Sequence, residues 1–222
     1  MRHAAAGFFF LAMLGTCAQA AELPDFQATA HTIAIVSLIG DTINEGDTVV
    51  PAPGAGFDDV AEQAMARQIR DDVPGVSVVR VGGLRDPLLA LMYPNHGFGD
   101  VGMKQVRAAL KSWAASHSVD YIVILRKTNG IVEWRSAGST MSMKYYAFGI
   151  GLLGGGPNAF LNVTVCDGST LDVVTDLAAR DEKWGSREYT YKNWKEQIPT
   201  LTGDIQAMLA SVVPGLVHGV GL

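Results

Sequence analysis

The sequence predicts an α/β fold: a single domain with a mixed sheet, in which a parallel βαβαβ core is followed by an antiparallel extension and closed by a C-terminal helix. Two patterns carry that reading. Between residues 31 and 125, short β-branched runs alternate with stretches whose apolar residues recur every three or four positions, the order of a parallel sheet with crossover helices. From Asn129-Gly130 onward, turn-punctuated strands replace the helical spacing, which returns only near residue 195. Composition agrees: 222 residues, 48% hydrophobic and 18% charged, are enough to bury a core, and they exclude disorder, collagen and coiled coil.

The elements follow in order. His31 to Leu38 is a short apolar run ended by Gly40-Asp41, hence a buried first strand, and a Pro/Gly-rich loop through Pro51-Ala-Pro-Gly-Ala-Gly56 is expected next. Phe57, Val60, Ala61, Ala64, Met65 and Ile69 then share one helical face, with Asp58 and Asp59 at the positive end of the helix dipole and Pro74-Gly75 as its stop. Val76 to Val81 is the second strand, followed by a short helix that Asp86 and Pro87 start and Pro94-Asn95 end. Asp100 is placed to cap a longer helix carrying Met103, Val106, Leu110, Trp113 and Ala114, and Tyr121 to Leu125 is the most apolar strand of the chain. Strands over 131–135, 141–150, 159–166 and 171–177 form the antiparallel part, with Asp167-Gly168 as a hairpin turn. An amphipathic helix near 195–213 carries Ile198, Leu201, Ile205, Met208, Leu209 and Val212, and Pro214-Gly215 is expected to end it.

The first twenty residues read as a cleaved secretory signal. Arg2 and His3 precede the apolar run Ala4 to Leu14, too short to span a bilayer, and Ala18-Gln19-Ala20 offers the small-x-small pattern of a peptidase site. The expected organisation is a signal over 1–20 and one domain over 21–222, in the periplasm or secreted. Leu14-Gly15-Thr16-Cys17 resembles a bacterial lipobox except that Thr precedes the Cys, so lipidation at Cys17 and a membrane-anchored lipoprotein form the alternative. Cleavage after residue 20 removes Arg2 and leaves 202 residues, taking the net charge from −5 to −6. With no run of Lys and Arg to follow a phosphate backbone, nucleic acid is not expected as a partner. Beyond the leader, no apolar stretch is expected to serve as a membrane-spanning helix.

Cys166 is the one cysteine left after cleavage, so no disulfide can form within the chain, and it reads as a small buried strand residue rather than a nucleophile. Gly149-Ile-Gly151-Leu-Leu-Gly154 has the G-x-G-x-x-G spacing, but a dinucleotide site needs it between a strand and a helix, whereas Gly154-Gly-Gly-Pro-Asn158 leads into another strand. The segment is instead expected to be a flexible connection, and its apolar tip, Ile150, Leu152 and Leu153 with nearby Asn158, is a candidate contact for a partner or membrane. Trp184, Tyr189, Tyr191 and Trp194, interleaved with Lys183, Arg187, Lys192 and Lys195, form a second candidate surface for sugars or peptides; packing of the last helix over the sheet is the plainer account.

No complete catalytic or metal-binding set is visible. The histidines at 3, 31, 96, 117 and 218 contain no pair at ligand spacing, and no cofactor is expected. Asp41, Glu45 and Asp47 do not follow the calcium-loop spacing. His96-Gly-Phe-Gly-Asp100 places an imidazole and a carboxylate on one glycine-rich loop, with helix capping by Asp100 as its simpler role. Gly40-Asp41-Thr42 resembles the G-D-S block of SGNH hydrolases, with Thr42 where that family has its nucleophilic Ser and without its late D-x-x-H block, since His218 is preceded by Gly215. That resemblance implies an alternative esterase or hydrolase site built from Asp41, Thr42, His96 and Asp100.

The order of elements over residues 31–213, with the exported leader, resembles the TolB N-terminal and CsgG-like group of bacterial envelope proteins. The resemblance implies a non-catalytic binding or assembly module whose partner is an envelope protein or polymer. Membrane contact would come only through a lipid on Cys17 or through the glycine-rich loop.

Overall fold

The computed structural model describes residues 25–45, 48–93, 101–136, 139–150, 157–181, 189 and 194–222. In chain order the elements are α1 (Phe26–Thr29), β1 (Thr32–Leu38), β2 (Thr42–Glu45), β3 (Thr48–Pro51), α2 (Phe57–Asp72), β4 (Ser77–Arg80), α3 (Arg85–Met92) and α4 (Val101–His117). They continue with β5 (Tyr121–Lys127), β6 (Asn129–Ser136), β7 (Ser139–Ile150), β8 (Pro157–Asp167), β9 (Val173–Asp181), a 3-10 turn over Trp194–Gln197 and α5 (Ile198–Gly219).

Strand β1 lies between β4 and β5 and is parallel to both; β5 then pairs antiparallel with β8, and β8 with β9. The expected mixed α/β sheet with a parallel core and a C-terminal helix is the observed one. Alternation along β1 explains its two-sided burial. Ile33 and Ile35 point toward α2 and α5, with Val123, Leu125, Val163 and Val165 from the neighbouring strands. Ala34, Val36 and Leu38 point the other way, into the layer built by Leu88 of α3 and by Val106, Leu110 and Ala114 of α4. Helices on both faces leave no wet side, which is why the parallel strands read as continuous apolar runs.

The start of the sheet is pinned by Asp120, whose carboxylate accepts the N–H of both His31 and Thr32 at 2.7 Å. Beyond the end of β5, the long β6–β7 hairpin is carried on β8 through Phe148↔Ala159 and Ile150↔Pro157. The β2–β3 hairpin attaches to the same β7 at Asn44↔Gly149.

Three expectations need correction. Thr42–Glu45 and Thr48–Pro51 pair as the antiparallel strands β2 and β3 rather than forming a loop, because β7 supplies an edge for β2 to pair with. The last helix does not stop at Pro214-Gly215 but runs to Gly219. Pro214 removes the N–H that would reach back to Ala210 and crowds that carbonyl with its ring, but Ala210 is exposed, while Leu216 and Val217 beyond it are buried in the core and hold the final turn. With its preceding turn, that helix is also long and apolar enough to cross a membrane by length and composition, contrary to the expectation that no segment after the leader is. Its inward face, Leu201, Ile205, Met208, Leu209 and Val213, is spent on the sheet and α2.

Candidate functional site

In the order β4-β1-β5, the chain leaves β1 to one side through α2 and returns past it to β5 through α3 and α4. The strand order therefore reverses beside β1, and a crevice opens at the carboxyl ends of β1 and β5, the usual place for a ligand in an open α/β sheet. A cavity of about 310 Å³ lies there, lined by Ile39, Gly40, Asp41, Thr42, Val49, Leu89, Ala90, Tyr93 and Lys127.

Each polar group at this end has a definite local task. Gly40 turns the chain off β1 at φ +69°, a left-handed conformation that suits glycine. The Asp41 carboxylate then accepts the N–H groups of Gly56 and Phe57 at 3.2 and 3.1 Å, capping α2 from across the hairpin. Asp58, in the first turn of α2, accepts the N–H groups of Ile39 and Gly40 at 2.8 and 3.1 Å. Burial pushes its carboxyl above the usual range, opposed by those N–H groups and by the Arg85 guanidinium. Glu62, one turn on, is also buried and raised, and it accepts the Ser37 N–H at 3.1 Å.

Lys127 ends β5 with its side chain 4% exposed. Its Nζ donates to the backbone carbonyl of Thr42 and to Thr42 Oγ1, both at 2.8 Å. Burial pushes the ammonium down to about 7, against the pull of the Asp58 and Asp41 carboxylates. Tyr93, the residue after α3, donates its hydroxyl to the Leu38 carbonyl at 2.8 Å and accepts the Lys127 N–H at 3.0 Å. It thereby ties the ends of β1 and β5 together, and burial holds its phenol protonated well above the ordinary range. The result is an aliphatic chamber with an amine and a hydroxyl side by side on one wall.

Of the residues singled out in the sequence, Asp41 and Thr42 line this cavity. His96 and Asp100 lie outside the described residues, as do Cys17, Leu152, Leu153, Trp184 and Tyr191; Ile150 pairs with Pro157 at the end of β7. The described histidines, His31, His117 and His218, serve elsewhere. His31 precedes β1 at its far end, about 20 Å of strand away from Thr42. His117 hydrogen-bonds Ser116 and the Trp113 carbonyl and stacks on the Trp113 ring at 4.1 Å; His218 pairs with Asp72 at 2.9 Å. Thr42 therefore meets a lysine, not any of these three imidazoles.

Tyr189 and Trp194 are core side chains, each 1% exposed, and Asn158 is buried at 3%, so these three offer no open contact surface. The aromatic pair packs beneath α5 with Leu201, Ile205 and Leu161. Cys166 is fully buried and its thiol is pushed up to about 11, an environment for packing rather than nucleophilic chemistry. Among the described residues, no group of three or more His, Cys, Asp and Glu is arranged to hold a metal ion.

Tyr93 and Lys127 were not found by sequence reasoning. The available signal was Arg126-Lys127 directly after the most apolar strand: a basic residue at the carboxyl end of a parallel strand faces the ligand crevice of such sheets.

The fold and crevice define a three-layered α/β domain with a small apolar chamber at the reversal of its strand order. No family model matches the chain, and no curated protein matches it. Among solved structures it is similar to the PelC dodecamer from Paraburkholderia phytofirmans, at a TM-score of 0.37 and 16% identity over 85% of this chain and 88% of that one. It is also similar to the lipoprotein GNA1162 from Neisseria meningitidis, at 0.34 and 9% identity over 81% and 97% of the two chains. A third likeness is to the LpoB C-terminal domain from Salmonella enterica, at 0.34 and 10% identity over 70% and 85%.

Proposed function

We propose that this chain is an exported, non-catalytic binding protein of the bacterial cell envelope, which holds part of a partner protein or envelope polymer in the chamber at the ends of β1 and β5. The observation that carries the reading is the chamber itself: aliphatic walls from Ile39, Val49, Leu89 and Ala90 with Asp41, Thr42, Tyr93 and Lys127 as its polar lining. The leader over residues 1–20 supports the compartment. The engagement of Asp41 in capping α2, and of Thr42 by Lys127, gives the Gly40-Asp41-Thr42 block an architectural reason to exist without chemistry.

The test is photo-crosslinking in intact cells from position 49 on the chamber wall, with position 173 on exposed β9 as control. A specific adduct from position 49 alone is expected. No adduct from position 49 in exported protein would overturn the reading.

One observation favours a hydrolase instead: the 2.8 Å contact between Thr42 Oγ1 and Lys127 Nζ, since a buried amine can serve as the base of a hydroxyl nucleophile. Under that reading Thr42→Ala abolishes an esterase activity of the purified protein; under ours, no activity depends on Thr42.

A further inference from the structure

We propose that the chamber takes an aliphatic chain ending in a carboxylate, with the head against the Lys127 and Thr42 pair and the chain along Ile39, Val49, Leu89 and Ala90. This rests on the binding reading above and names the chemistry it would recognise.

Shape argues for the chain. At roughly 30 Å³ per water-sized group, a 310 Å³ chamber holds about ten non-hydrogen atoms. Four aliphatic side chains provide its apolar wall, so each methylene buried there adds affinity without a polar partner.

The head follows from what stands on the polar side. Thr42 and Lys127 both line the chamber and their Oγ1 and Nζ are 2.8 Å apart, so two donors can converge on one carboxylate. Thr42 Oγ1 accepts from Lys127; when a ligand oxygen takes that place, rotation about χ1 lets the same hydroxyl donate to the ligand. Two carboxylates that act on Lys127 are each engaged by two backbone N–H groups: Asp41 at the start of α2 and Asp58 at the end of β1. The N–H groups of Ile39 and Gly40 and the Arg85 guanidinium counter part of the Asp58 charge. The same capping counts against a phosphate head, because Asp41 already occupies the start of α2, where a phosphate would bind.

The head-and-chain chemistry occurs in a free fatty acid and in a peptide C-terminus, and two probes separate them: hexanoate and acetyl-Gly-Leu. Titration calorimetry on the full chain is expected to show one site for at least one probe, and the tighter of the two identifies the source. Hexanoate should exceed butanoate by about fourfold per added methylene. Lys127→Met should weaken binding at least tenfold, and Leu89→Trp, which fills the chamber, should abolish it. Methionine replaces a buried cation by an apolar chain of similar length, so that variant is expected to fold, and its melting temperature is measured alongside. Equal binding of methyl hexanoate or hexylamine, no loss in Lys127→Met, or no binding of either acid would each overturn the proposal. If both acids fail while position 49 still crosslinks, the carboxylate assignment falls and the binding reading stands; if the crosslink is also absent, both fall.

Discussion

Tyr189 donates its hydroxyl to Asp204 Oδ2 across 2.6 Å, joining the segment ahead of the last helix to the second turn of that helix. The ring is 1% exposed, so this bond sits at the edge of the core under α5 rather than on a contact surface. Tyr189→Phe keeps the ring and removes one bond to a carboxylate, and should cost about 1–3 kcal/mol in urea unfolding. Trp194→Ala, which empties a packed site of the same core, should cost about 3–5 kcal/mol.

Asp41 caps α2 although fifteen residues separate it from Gly56. Asp41→Ala leaves two N–H groups at the start of that helix without their carboxylate. A loss of about 1–2 kcal/mol is expected from chemical denaturation. An unchanged midpoint would mean that water serves these N–H groups equally well.

Lys127 makes stability depend on pH. Its native pKa is lowered to about 7 by burial, while an unfolded lysine titrates near 10.4. Between those values the unfolded chain holds a proton that the native chain has released, so raising the pH favours the native state. The slope approaches about 1.4 kcal/mol per pH unit. Below pH 7 both states are protonated and the penalty is constant; above pH 10.4 both are neutral and it is gone. Lys127→Met removes this dependence and should be at least as stable as the wild type at pH 6. Urea unfolding of both proteins at pH 6, 7, 8 and 9 reads the difference directly.

The turn after β8 admits no side chain at Gly168. A Cβ there would collide with the backbone carbonyl of Val119, and backbone cannot yield as a flexible side chain does. Gly168→Ala should therefore cost about 1–3 kcal/mol. Thermal melts comparing it with Gly54→Ala, where space is open but φ is +76°, separate collision from backbone preference.

How far the sequence could be read follows from what decides each element. The α2 face of Phe57, Ala61, Met65 and Ile69 and the run Tyr121 to Leu125 carry their periods in a local window, and both stand as expected. Thr42–Glu45 and Thr48–Pro51 carry no such period; they pair as strands because β7, a hundred residues later, lends β2 an edge. Pro214 reads as a stop, yet packing by Leu216 and Val217 outweighs one missing hydrogen bond. Asp41 and Thr42 were legible as the polar end of a buried strand. Lys127 and Tyr93 were not, because their neighbours come from three separate elements.

The cap that Asp41 places on α2, together with the Ala52 N–H bond to the Asp41 carbonyl at 2.9 Å, closes the base of the β2–β3 hairpin like a drawstring. Between those knots Ile43 is fully buried in the core, Val50 packs against it and β2 pairs with β7, so the hairpin is also part of the fold. The same stretch supplies Thr42 and Val49 to the lining of the chamber. Ligand preference and fold thus share one piece of chain: a different hairpin grafted between Asp41 and Gly56 would redesign the pocket, and would leave the three layers as they are only if it kept an apolar residue at 43 and small ones at 52 and 55.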